Sequence, residues 1–143
     1  METSTSLNIP NNQCNSASLI SFDLSAYKLL EEIEIGNENF FYSNEFFLDG
    51  LYELEKLIIG SNSFTQKKNS WGNDASKSFH ILNCTKLESI EIGEKSFSDF
   101  AGKFELSNLP QLQSIQIGTI GSDSYNFWHS SFVIRGIELI LNI

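Results

Sequence analysis

One pattern of apolar and polar positions recurs along the chain. From Phe22 it reads FDLSAYKLLEEIEIG, with apolar residues at Phe22, Leu24, Tyr27, Leu30, Ile33 and Ile35 before Gly36. Phe46 opens the same series, with Leu48, Leu51, Leu54, Leu57, Ile59 and Gly60. Phe79 and Phe104 open it again, and those copies close at Gly93 and Gly118. A fifth copy starts at Phe132 with Ile134, Ile137, Ile140 and Ile143, and a partial copy, Leu7, Ile9 and Pro10, precedes the first. The starts are separated by 24, 33, 25 and 28 residues, a period of 24 to 25 with insertions. A second anchor follows each glycine by four residues, at Phe40, Phe64 and Phe97, with Cys14 in the partial unit. In the fourth unit three extra residues put Tyr125 at that position.

The offsets predict local structure. Ile33 and Ile35 alternate with Glu32 and Glu34, the period-two signature of a strand with one buried face. Phe22 and Leu24 alternate around Asp23 in the same way, so each unit holds two short strand segments. Between them the apolar residues stand three apart, a spacing that suits a turn or a short 3₁₀ segment. Strands are expected near 32–35, 56–59, 89–92 and 114–117. A unit of this length cannot bury its own apolar side chains, whereas stacked units can, so the fold class is a mainly β repeat solenoid. The glycine ending each unit is expected where the strand turns away through positive φ. The organisation read from these repeats is a partial unit over 1–21 and an array of about five coils over 22–143, interrupted by an insertion at 65–78.

Composition narrows the function classes. The chain has 143 residues, enough for one core, and 18 acidic against nine basic residues give a net charge of −9. That balance argues against nucleic acid or an anionic membrane as the main partner. No apolar run approaches the length of a membrane-spanning helix. The start shows no basic region followed by an apolar stretch, so no signal peptide is visible and a cytoplasmic address is the default expectation. Cys14 and Cys84 are too few for a disulfide framework, and Asn83-Cys84-Thr85 fits the glycosylation sequon by chance composition.

The repeat resembles that of leucine-rich repeat proteins. Leu30-x-x-Ile33-x-Ile35, with Phe40 as the final apolar position, follows their pattern, as do Leu54, Leu57, Ile59 and Phe64, and Leu87, Ile90, Ile92 and Phe97. The position that family fills with Asn or Cys holds Glu38, Asn62 and Lys95, so a buried asparagine ladder is not expected there. The run apolar-x-Ile-Gly-x-x-Ser-Phe is most similar to the bacterial surface protein A-like, or Treponema-type, subclass. The resemblance implies a right-handed array with a parallel sheet on a concave face, short strands or 3₁₀ turns on the convex side, and a binding role for the concave face.

Two surfaces are candidates for that role. Outward strand positions stack in rows across coils: Glu32, Lys56, Ser89 and Ser114 in one, and Glu34, Ile58, Glu91 and Gln116 in the next. Glu31, Glu55, Glu88 and Gln113 run beside them, so the strip is acidic to polar with an apolar spot at Ile58. The second surface is the insertion, TQKKNSWGNDASKS, which gathers Lys67, Lys68 and Lys77 around Trp71. Inserted loops of solenoids often bind, and Trp is a common hot-spot residue; the plainer reading is an excursion whose Trp folds back on the array.

Catalytic signals are weak. His80 and His129 have no cysteine or carboxylate at ligand spacing, and no nucleophile elbow, phosphate loop or Cys-x-x-Cys is present. Cys14 and Cys84 occupy core positions of the repeat. No metal or cofactor is expected. The leading expectation is a non-enzymatic scaffold that binds another protein. The alternative is a structural or adhesive element that self-associates through uncapped solenoid ends, or a fragment of a longer array, because the last repeat lacks its Ile-x-Ile-Gly finish.

Overall fold

The computed structural model describes residues 5–137. Ten short strands follow one another: β1 (Ser6–Ile9), β2 (Phe22–Asp23), β3 (Glu32–Ile35), β4 (Glu45–Asp49), β5 (Lys56–Ile59), β6 (Ser78–Leu82), β7 (Ser89–Ile92), β8 (Lys103–Ser107), β9 (Ser114–Ile117) and β10 (Ser131–Arg135). Odd strands form one parallel sheet in the order β1-β3-β5-β7-β9, and even strands form a second in the order β10-β8-β6-β4-β2. The chain therefore winds from one sheet to the other and back, a parallel β-solenoid of about five turns, and no helix occurs among the described residues. The four expected strands all lie in the odd sheet, at the expected residues.

Register follows the repeat. Leu7, Ile33, Leu57, Ile90 and Ile115 are successive partners, as are Ile9, Ile35, Ile59, Ile92 and Ile117. Leu30, Leu54, Leu87 and Leu112 are all buried. The three-residue spacing resolves into single turns: the Leu54 amide donates to Leu51 O at 3.2 Å, and Leu30, Leu87 and Leu112 donate in the same way to the residue three before. Tyr27 departs from its equivalents. It is exposed, whereas Leu51, Cys84 and Leu109 are fully buried.

Beside the Leu and Ile rows, phenylalanine forms two stacked columns in the core. Phe22, Phe46, Phe79, Phe104 and Phe132 form one column, with neighbouring ring centroids 4.5–5.0 Å apart. Phe40, Phe64, Phe97 and Phe127 form a second column at 4.7–4.9 Å. The columns meet edge to face, as in Phe79 against Phe97 at 5.1 Å and 87°. Stacking along each column matches the interstrand spacing of about 4.8 Å, and the edge-to-face contacts put positive ring edges on negative faces. Phe127 takes the corner position, so the sequence-based placement of Tyr125 there is corrected. Register through the longer stretch after Gly118 is set by which ring stacks on Phe97, and Tyr125 instead matches Glu38, Asn62 and Lys95.

The glycine reading holds at Gly118, which has φ +75°, and needs correction at the other three units. Gly36, Gly60 and Gly93 do not adopt positive φ. They are needed because coils touch there: a Cβ on Gly93 would stand 2.6 Å from the carbonyl carbon of Gly60. Positive φ falls two and four residues later, at Glu38 and Phe40, Asn62 and Phe64, and Lys95 and Phe97, and the equivalent pair in the fourth unit is Tyr125 and Phe127. A bulky residue at positive φ costs about 1–2 kcal/mol, which stacking in the phenylalanine column offsets. The residue between them is polar and buried in three coils, Asn39, Ser63 and Ser96. Asn39 N donates to Ser63 Oγ, Ser63 N donates to Ser96 Oγ, and Asn126 Nδ2 donates to Gly93 O. A polar ladder therefore runs through the corner, one residue beyond the position that the leucine-rich pattern assigns to it. These side chains serve backbone groups that the corner would otherwise leave buried and unpaired.

The odd sheet ends, among the described residues, at β9. Ile115 is 42% exposed and Ile117 is half-buried, against 1–2% for Ile90 and Ile92. Ile140 and Ile143, which the repeat would place in the next rung, lie outside the described residues.

Candidate functional site

The outward face of the odd sheet carries the rows expected from the sequence. Hydrogen-bonded register aligns Glu32, Lys56, Ser89 and Ser114, and Glu34, Ile58, Glu91 and Gln116. Strand β1 extends the rows with Ser6 opposite Glu32 and Asn8 opposite Glu34, two positions the repeat analysis did not assign to the strip. Ser89 and Ile58 are half-buried and the other eight named positions are exposed. Opposite charges meet at Glu32 and Lys56, while Ile58 separates Glu34 from Glu91, so like charges are not direct neighbours in these rows. Glu31, Glu55 and Glu88 are successive and exposed beside them. At the strand ends a groove of about 190 Å³ runs past Ile58, Glu91, Glu94, Gln116 and Thr119.

The insertion is pinned along the side of the array. The Gly72 amide donates to Ser98 O, the Asp74 amide to Asp99 O, and Asp74 bridges to Phe100. Asn69 N donates to Asn62 Oδ1, and Lys68 reaches Glu38 at 3.1 Å while lying 4.7 Å from the Phe41 ring centre. Lys77, read from the sequence as a loop cation, is buried and forms a 2.7 Å ion pair with buried Asp99. Asp99 Oδ2 also accepts the Gln66 amide, whereas Asp99 Oδ1 is buried without a hydrogen bond among the described residues. Asp74 is held below the usual carboxylate range by the Ser76 hydroxyl and amide, both bonded to its Oδ1. Lys67 lines an open recess of about 380 Å³ beside Asp74 and Asp99.

The loop brings Trp71 against residues of the last described coil. Its ring centre is 5.1 Å from Tyr125 and 6.3 Å from Trp128, and Tyr125 and Trp128 are 5.5 Å apart. The cluster remains at the surface, with Trp71 48% and Trp128 56% exposed. Trp71 thus does fold back on the array and is also an accessible ring. No repeat spacing joins residue 71 to 125 and 128, because the contact depends on the path of the insertion.

His80 shows a further limit of sequence spacing. It has a carboxylate partner, Glu105, whose Oε1 is 2.8 Å from Nδ1, because β6 and β8 pair in register. Cys84 is fully buried, and burial pushes its thiol up to about 11, so it stays protonated near neutrality. No group of three or more His, Cys, Asp or Glu side chains arranged to hold a metal ion occurs among the described residues.

The geometry defines a class, the parallel β-solenoid repeat protein, with an exposed ladder face and a side loop. The chain matches no family model, no curated protein and no solved structure.

Proposed function

We propose that the chain is a non-enzymatic binding scaffold of the leucine-rich repeat kind, which takes another protein on the outward face of its odd sheet. The observation that supports this reading is the in-register, exposed double row from Glu32 and Glu34 to Ser114 and Gln116. The backbone of such a face is ordered before binding, because each side chain stands on a paired strand, so little backbone entropy remains to be lost on association. Its acidity favours a partner that presents basic groups and speeds their encounter. The test compares proteins captured by the wild-type chain with those captured by Glu34→Lys/Glu91→Lys. A partner retained by the first and lost by the second, at unchanged melting temperature, supports the reading. Equal capture by both removes the face from consideration.

A second reading, a structural element that self-associates, rests on Phe132 and Ile134, which are 53% and 52% exposed. Its measure is sedimentation over a range of concentrations, with Ile134→Lys as the variant expected to abolish any dimer. A monomer at every concentration removes it.

A further inference from the structure

We propose that the groove at the strand ends of the strip takes an arginine side chain of the bound partner. The inference rests on the reading of the strip as a binding face and adds the chemistry of one contact within it. The groove has a volume of about 190 Å³ and lies where β5, β7 and β9 end. Register sets Ile58, Glu91 and Gln116 side by side across it, and Glu94 and Thr119 follow at the strand ends. Its lining thus joins one half-buried apolar side chain, two carboxylates and neutral polar groups, and none of its lining residues is basic.

The charge of the groove is local and uncompensated. Neither Glu91 nor Glu94 forms an ion pair among the described residues. Lys95 follows Glu94 in the chain but belongs to the row of Glu38, Asn62 and Tyr125, which faces the insertion. In that row Glu38 meets Lys68, Asn62 meets Asn69 and Tyr125 meets Trp71. Lys56 stands in the other row of the strip, between Glu32 and Ser89.

Arginine matches this lining in both its parts. Its aliphatic stem covers apolar surface, here Ile58, while its head stays with polar partners. Its planar guanidinium offers five donors in a fork, so that it can engage two carboxylates at once. The carboxylates are placed before binding. Glu91 stands on β7, which is paired on both sides, and Glu94 Oε2 accepts the Ser122 hydroxyl at 2.8 Å, which leaves Oε1 for a second donor. Groups held in this way lose little freedom on association.

The experiment titrates the isotope-labelled full chain with acetyl-Gly-Arg-Gly-amide and follows backbone amide shifts by NMR. The expected result is a set of saturable shifts centred on Gly93, Glu94, Gly118 and Thr119. The citrulline peptide, which keeps the shape and lacks the charge, should bind at least about tenfold more weakly. Glu91→Gln and Glu94→Gln should each weaken binding about threefold or more, and Ile58→Ser, which removes the apolar contact, should weaken it too. Glu45→Gln, on the outward side of the even sheet, removes the same unit of charge away from the groove and should bind as wild type does. The inference is overturned by an absent or unsaturable response, by shifts centred elsewhere, by an equal response to the citrulline peptide, or by equal losses in Glu45→Gln and Glu94→Gln. The strip and the groove fail separately. A partner lost by Glu34→Lys/Glu91→Lys but held equally by wild type and Glu94→Gln keeps the strip and overturns the groove. Arginine binding that depends on Glu94, with equal capture of proteins by wild type and Glu34→Lys/Glu91→Lys, keeps the groove and removes the strip.

Discussion

Lys77 Nζ lies 2.7 Å from Asp99 Oδ2, 22 residues on in the chain, and both side chains are almost wholly removed from water. The pair fixes the end of the insertion to the coil that follows it. Removing one partner leaves the other as an uncompensated buried charge. Lys77→Met should therefore destabilise the fold by about 3–5 kcal/mol. Lys77→Met/Asp99→Leu should recover most of that loss. Urea unfolding checks both, and a single variant as stable as wild type would show that the pair is hydrated in solution.

The odd sheet supplies a contrast between adjacent residues. Ile90 is 1% exposed, and its neighbour Glu91 points outward. Ile90→Ala should cost about 2–4 kcal/mol, from lost burial and the cavity left behind. Glu91→Ala should stay within about 0.5 kcal/mol. Equal losses in thermal melts would mean the register is wrong.

Two glycines separate close contact from backbone conformation. Gly93 sits against the backbone of the preceding coil without positive φ, whereas Gly121 has φ +86° and open space around it. Gly93→Ala should cost about 2–3 kcal/mol through overpacking. Gly121→Ala should cost about 1–2 kcal/mol through strain, and Gly121→Asn should recover part of it, because Asn tolerates the left-handed region better. Gly93→Asn should be worse than Gly93→Ala. Chemical denaturation of the four variants measures the order.

Cys84 gives a pH dependence. Burial raises its thiol from 9.0 to about 11. A raised folded value means the folded state holds its proton more tightly, so the contribution to stability is complete below pH 9 and is lost as pH rises from 9 toward 11. Stability of the wild type should fall through that window, and Cys84→Ala, though less stable at neutral pH, should show a shallower fall. Parallel slopes would count against burial of the thiol.

The sequence by itself determined the repeat, the positions of the odd-sheet strands from β3 to β9 and the side that their residues face. These depend on period-two alternation and on identical offsets in every coil, which are local properties. The rows of the candidate strip were legible for the same reason, since in a solenoid equal offsets become neighbours. Tertiary structure decided what the offsets could not. Ring stacking on Phe97 chose Phe127 over Tyr125, and coil-to-coil contact, not positive φ, explained Gly36, Gly60 and Gly93. The polar ladder fell at Asn39, Ser63 and Ser96, where corner geometry buries backbone groups that need partners. The path of the insertion belongs to no repeat. Its meeting with the last described coil, which sets Trp71 beside Tyr125 and Trp128, arises from long-range hydrogen bonds and one buried ion pair that no periodicity encodes.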